Sequence, residues 1–134
     1  MIVLDASAAL GFALDDEWDA KAERHLEIVN SDGAAVPAIW LWEFQNALRS
    51  AIRRKRMTEA AALGILTRIA KLPIVVEPVG GDVRWSSAFE VAVKTDLSVY
   101  DASYLHLALE RGLSLLSRNA RLNEGAVKLG IATL

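Results

Sequence analysis

Short runs built almost wholly of apolar residues alternate along this chain with longer stretches of helical period, and that alternation restricts the fold more than any other feature. The short runs are Ile2-Val3-Leu4, Ala35-Val36, Ile74-Val75-Val76, Leu113-Ser114-Leu115-Leu116 and Ile131 to Leu134. A strand with one wet face alternates apolar and polar residues, whereas a strand buried on both faces does not. Runs of this kind belong inside a sheet covered on both sides. The segments between them read as helices: Ala6 to Leu14, Asp19 to Asn30, about Trp40 to Arg56, Thr58 to about Lys71, Asp82 to Lys94, Val99 to Glu110 and Ala120 to Leu129. Ala22, Leu26 and Val29 share one face of the second. Ser31-Asp32-Gly33 reads as a turn, Pro37 ends the strand at Ala35, Thr58 is placed to cap, and Gly112 and Gly130 stop the helices before them. Strands alternating with helices imply βαβ crossovers, and so an α/β fold with a central, mostly parallel sheet.

The 134 residues suit one domain, 1–134, and a hydrophobic content of 53% supports a packed core. Cysteine is absent, which excludes a disulfide framework, a thiolate metal site and a cysteine nucleophile. No basic region precedes the first apolar run, so no signal peptide is expected. No apolar run approaches the ~18 residues that a membrane span needs. The expectation is a soluble, cytoplasmic protein. The net charge of −2 argues mildly against a nucleic-acid ligand, but the charges are unevenly spread, with basic residues crowded between Arg49 and Arg56.

In open parallel sheets ligands bind beyond the carboxyl ends of the strands. Four side chains fall there. Asp5 directly follows Ile2-Val3-Leu4. Glu43 lies among Trp40, Leu41, Trp42 and Phe44 in the first turns of the helix after the second strand, with Asn46 one turn further on the same face. Asp101 opens the helix that leads into the fourth strand, and Asn119 follows that strand in Ser117-Arg118-Asn119. Each has a local explanation. Asp5 can cap the helix at Ala6. Glu43 near a helix start suits the macrodipole. Ser98 with Asp101 fits a capping box, and Ser117 or Asn119 can cap the last helix. Together, however, they occupy one edge of a parallel sheet. Converging carboxylates repel unless a cation lies among them. Mg²⁺ and Mn²⁺ favour oxygen ligands, and such an ion polarises a phosphoryl oxygen and activates water. Ser7 can add a hydroxyl to this site.

These residues resemble the PIN-domain family and, within it, the VapC toxins of bacterial toxin–antitoxin pairs. The resemblance runs through Ile2-Val3-Leu4-Asp5-Ala6-Ser7-Ala8, Glu43 with Asn46-Ala47-Leu48, Tyr100-Asp101-Ala102-Ser103-Tyr104 with Leu107-Ala108, and Leu115-Leu116-Ser117-Arg118-Asn119 with Leu122. It implies a three-layer α/β/α PIN-like fold and a metal-dependent endoribonuclease. Asp5, Glu43 and Asp101 are then the acids around a Mg²⁺ or Mn²⁺ ion, and Ser7 and Ser117 the hydroxyls beside it. It also implies a VapB-type antitoxin seated between the two helices of 40–71, and a homodimer. Asn119 stands where the family usually carries a fourth acid. It offers a neutral oxygen and no charge, so a second ion would be held poorly while one-ion chemistry is expected to survive.

Arg49, Arg53, Arg54, Lys55 and Arg56 end the helix that carries Glu43, with Arg68 and Lys71 as an extension. At a rise of ~1.5 Å per residue Arg53 lies roughly 15 Å from Glu43, a span suited to phosphates flanking a cut. Cations there also complement the helix dipole. His25 and His106 read as ordinary surface or half-buried residues on helices, and Trp18 and Trp85 as packing residues. An aspartyl-phosphate phosphatase would need an acid two positions after Asp5, where Ser7 stands, and a receiver domain would need a phosphorylated Asp that Ile74-Val75-Val76-Glu77-Pro78 does not supply. A stronger alternative is a catalytically weakened PIN module that only binds RNA or its antitoxin, which Asn119 favours. Competition between matched RNA and DNA strands separates a ribonuclease from a DNA nuclease.

Overall fold

Four of the five apolar runs pair side by side. In the computed structural model, which describes residues 1–78 and 87–134, β1 (Ile2–Leu4), β2 (Ala34–Pro37), β3 (Ile74–Glu77) and β4 (Leu115–Leu116) form one parallel sheet in the order β3-β2-β1-β4. The register sets Ile2 against Ala34, Val3 against Leu115 and Ala34 against Ile74. β1 and β4 are buried throughout, while β3 lies at an edge and leaves Val75 exposed. Truncating a fully buried leucine such as Leu4 or Leu116 to alanine costs about 2–5 kcal/mol.

Each crossover carries a pair of helices. α1 (Ala6–Ala13) and α2 (Ala20–Asp32) join β1 to β2, with a 3₁₀ turn at Asp15–Glu17 between them, and α3 (Ile39–Arg53) and α4 (Glu59–Ile69) join β2 to β3. α5 (Ser87–Thr95) and α6 (Val99–Arg111) precede β4, and α7 (Ala120–Lys128) follows it. The first residues of the expected helix at 82–94, and Trp85 with them, lie outside the described residues. α6 packs across β1, β2 and β4 and buries Ala102, Tyr104, Leu105, Leu107 and Ala108.

Several boundaries differ from expectation for local reasons. α2 continues through Ser31 and Asp32, and Gly33, at φ 71°, breaks it. α3 stops at Arg53, three residues early. Lys55 takes a left-handed φ of 57°, and the N–H groups of Lys55 and Arg56 close back onto the carbonyls of Ile52 and Ala51 at 3.0 and 2.9 Å. This is a Schellman cap built on lysine rather than glycine. The strand expected at 131–134 is a single bridge, Leu115 to Thr133, flanked by bonds from Leu115 N–H to the Ala132 carbonyl and from Leu134 N–H to the Leu115 carbonyl. Within the run 113–116 only Leu115 and Leu116 pair as strand. Thr58 caps α4 through the Ala61 N–H as expected.

Candidate active site

The strand order places a reversal beside β1. From β1 the chain moves outward to β2 and β3, then returns to lay β4 on the other side. At such a point the loops leaving two neighbouring strands part and open a crevice at their carboxyl ends. Asp5 leaves β1 there and Ser117 leaves β4.

Asp5 occupies the N-cap position of α1, yet its side chain accepts no capping hydrogen bond from the backbone of the helix. Instead Oδ2 accepts from the Ser117 hydroxyl at 2.7 Å and from the Ser7 hydroxyl. Asp5 is only 5% exposed and Ser117 is fully buried. The two hydroxyls are themselves aimed by the backbone: Arg118 N–H donates to Ser7 Oγ and Asn119 N–H to Ser117 Oγ, both at 3.0 Å. Donors thus run from the β4 exit loop through two serines to one carboxylate oxygen. No described residue donates to Oδ1 in the same way. A buried carboxylate needs partners, and here they are one hydroxyl from the first turn of α1 and one from the loop that leaves β4, not the backbone N–H groups of a helix start.

Glu43 lies in the second turn of α3, because the helix begins at Ile39; this is further in than the sequence suggested and weakens the macrodipole explanation. Its Oε1 accepts the Tyr104 hydroxyl at 3.0 Å. Burial pushes the Glu43 carboxyl above its ordinary range, the Tyr104 hydrogen bond opposes the rise, and the charges of Asp5 and Asp101 add to it. Asp101 lies in the first turn of α6. Ser98 caps that turn by accepting the Asp101 N–H at 3.1 Å, so the cap leaves the Asp101 side chain free. Burial raises the Asp101 carboxyl first and the Asp5 charge second, while Arg121 pulls it down. The three acids therefore share one electrostatic neighbourhood.

They do not form a closed ligand set. Among the described residues no three or more Asp, Glu or His side chains stand close enough to hold an ion. Asp5 and Glu43 are each engaged locally through one oxygen, Asp5 Oδ2 by its serines and Glu43 Oε1 by Tyr104. Asn119 Oδ1 accepts the Leu122 N–H at 3.3 Å and caps α7, the local role open to it from sequence. Asn46 is exposed.

Arg49, Arg53, Arg54 and Lys55 are exposed. Arg56 is not free in the same way. The Schellman turn throws it toward the 3₁₀ turn, where it donates twice to Asp16 at 2.9 Å and once to Glu17 at 3.2 Å. Arg118 makes a parallel tie, from Nη2 to Asp19 Oδ2 at 2.6 Å. It crosses α1 so closely that a Cβ at Gly11 would lie 2.6 Å from Nη1. Arg118 and Ser7 line a cavity of about 560 Å³ with Trp18, which is half exposed rather than packed away. His106 is half-buried as expected, whereas His25 is buried, on the face of α2 that carries Ala22 and Val29 into the core. Two side chains acquire roles the sequence did not assign. Tyr104 grips Glu43, and Arg118 braces the 3₁₀ turn; a buried tyrosine one helical turn after Asp101 was the available clue. Between α3, α4 and β3 a second, apolar cavity of about 220 Å³ is lined by Trp40, Phe44, Leu66, Ile69, Ile74 and Val76.

The chain matches the PIN domain family model over residues 2–128. A VapC ribonuclease of Mycobacterium bovis and ribonuclease VapC9 of Mycobacterium tuberculosis are each 30% identical over 124 residues, 92% of this chain and 90% of theirs. Among solved structures, PAE2754 from Pyrobaculum aerophilum superposes with a TM-score of 0.73 at 27% identity, covering 98% of this chain and 87% of that one. M. tuberculosis VapC20, a toxin that cleaves the sarcin–ricin loop, shares the fold at a TM-score of 0.62 and 21% identity over 92% of this chain and 93% of its own.

Proposed function

The chain belongs to the PIN-domain family, among the VapC ribonucleases, and on that premise we propose that it is the toxin of a VapBC-type pair, an endoribonuclease that cuts RNA phosphodiester bonds with Mg²⁺ or Mn²⁺. One observation carries the site assignment. Asp5 is a buried carboxylate at the topological switch point that caps nothing and is oriented by two serines from either side of the crevice.

The donors suit a hard cation. They are all oxygens, Asp5 Oδ1 lies without a donor among the described residues, and the raised Glu43 and Asp101 carboxyls mark a place where added positive charge is favourable. Asp5, Glu43 and Asp101 would hold the ion. When bound, it supplies charge neutralisation at the phosphoryl oxygens and activation of the attacking water. The chain's own side chains do the rest. Ser7 and Ser117 fix Asp5, and Arg49 and Arg53 on one face of α3 hold phosphates beside the cut. Asn119 caps α7 and adds no charge, which points to one ion.

The apolar cavity beside Trp40 and Phe44 is the place for the cognate antitoxin, and a homodimer in the cytoplasm completes the reading. Among the described residues no helix is long and apolar enough to cross a membrane. A weakened module that binds without cutting is the second reading, favoured by Asn119 and by the open arrangement of the acids. Incubating structured RNA with Mg²⁺ or Mn²⁺, against EDTA and against Asp5→Ala, decides between them. Metal-dependent cutting that Asp5→Ala abolishes is expected; RNA binding with no cutting under either ion selects the module.

A further inference from the structure

We propose that Tyr104 is a positioning residue for the acid site, its hydroxyl holding one oxygen of Glu43 so that the other is presented to a divalent cation. The role rests on the metal-dependent reading above. Tyr104 is fully buried on α6, three residues after Asp101 and so on the same face. Its hydroxyl donates to Glu43 Oε1 on α3 at 3.0 Å, and the same oxygen faces the backbone N–H of Ala6, the residue after Asp5. One phenol oxygen therefore meets α3 and the start of α1 while its own helix carries Asp101.

Packing alone does not require this residue. Phenylalanine would fill the same core volume without a hydroxyl that burial obliges to find a partner. Glutamate on a helix has three rotatable side-chain bonds, and a half-buried one can swing to water when nothing holds it. Among the described residues Tyr104 is the only side chain that hydrogen-bonds Glu43. Side chains that orient a metal ligand commonly change metal affinity about 10–100-fold when removed.

The test is Tyr104→Phe, which keeps the ring. Mn²⁺ affinity of the metal-free chain is measured by electron paramagnetic resonance of the free ion, alongside kcat and KM for RNA cleavage and the melting midpoint without metal. The expected result is Mn²⁺ binding weakened roughly tenfold or more, with kcat reduced and KM for RNA unchanged. A role in the core alone would move the melting midpoint and leave Mn²⁺ affinity in place. Binding in Tyr104→Phe within about twofold of the parent, with Asp5→Ala abolishing it, overturns the role of Tyr104 and leaves the metal site standing. A parent chain that binds no Mn²⁺ removes the metal site and this role together.

Discussion

Replacing Ser117 with alanine deletes one of the two hydroxyls that hold Asp5, and the consequence can be worked from the contacts. The Ser117 hydroxyl is fully buried, donates to Asp5 Oδ2 at 2.7 Å and accepts from Asn119 N–H at 3.0 Å. With Asp5 and Ser117 both buried, water replaces the hydroxyl poorly on the Asp5 side. A hydrogen bond to a charged group contributes about 1.5–3 kcal/mol, and the orphaned Asn119 N–H adds little because that residue is half exposed. The loss is about 2–3 kcal/mol. With an unfolding entropy of roughly 2.1 cal/mol/K per residue over 134 residues, the melting midpoint falls by about 7–11 °C. Ser7 is half-buried, so water replaces its hydroxyl in part, and Ser7→Ala lowers the midpoint by only about 3–4 °C, roughly 1 kcal/mol. Thermal unfolding of both variants at neutral pH without metal measures this. A Ser117→Ala midpoint within about 2 °C of the parent would refute the reasoning, because Asp5 would then not depend on the loop that leaves β4.

Three further outcomes follow from the same contacts. Asp101 is held above its ordinary pKa by burial and by the Asp5 charge. A group whose folded pKa is raised adds stability below its unfolded pKa and loses that contribution as pH rises through the folded value. Asp101→Asn is therefore more stable than the parent at neutral pH in urea unfolding, the difference vanishes as pH falls through the ordinary Asp range, and RNA cleavage is lost; a variant less stable at neutral pH contradicts the electrostatic account. Asn119→Asp keeps a cap of equal quality and so leaves fold stability nearly unchanged while tightening Mn²⁺ binding. Unchanged Mn²⁺ affinity and cleavage rate place Asn119 outside the site's border. Arg53→Ala makes the dependence of log RNA affinity on log salt shallower by about 0.7–0.9, one phosphate's worth, whereas Arg56→Ala leaves the slope unaltered because its guanidinium is spent on Asp16 and Glu17. Equal slopes in the two variants dismiss the distinction.

The sheet was legible in the sequence because its strands are short and β1, β2 and β4 are buried on both sides, which wrote itself as runs of apolar residues, while the β-branched run Ile74-Val75-Val76 marked the edge strand β3. Asp5 was legible for the same reason, as the first charge after such a run. The end of α3 was not. It depends on Lys55 accepting a left-handed conformation that its type disfavours, and no composition cue marks that. The fate of Arg56 follows from the turn, so the basic cluster at 49–56 was legible as charge but not as geometry. The segment 131–134 reads as a strand for a related reason: Ile131 is buried and apolar, as any segment docked on the core is, whether or not it pairs beyond one residue. Tyr104 entered the sequence reading only as part of the motif around Asp101, since its partner Glu43 is 61 residues distant.

Capping, or for Glu43 the helix dipole, offered each candidate polar residue a local explanation from sequence, and the structure separates them. Ser98 and Asn119 do cap, each accepting an N–H three residues ahead. Asp5 stands at a cap position and does not. A chain that needed only to start α1 would be served there by serine or asparagine at no electrostatic cost. Here a carboxylate is buried and provided with hydroxyls from Ser7 and Ser117, whose own orientation depends on two backbone N–H groups of the β4 exit loop. Two further acids stand nearby, each raised first by burial and then by the Asp5 charge, with Asp101 adding to the rise at Glu43. Folding gains nothing from crowding negative charge at a crevice, and the proposed cation with its phosphate is what would relieve it.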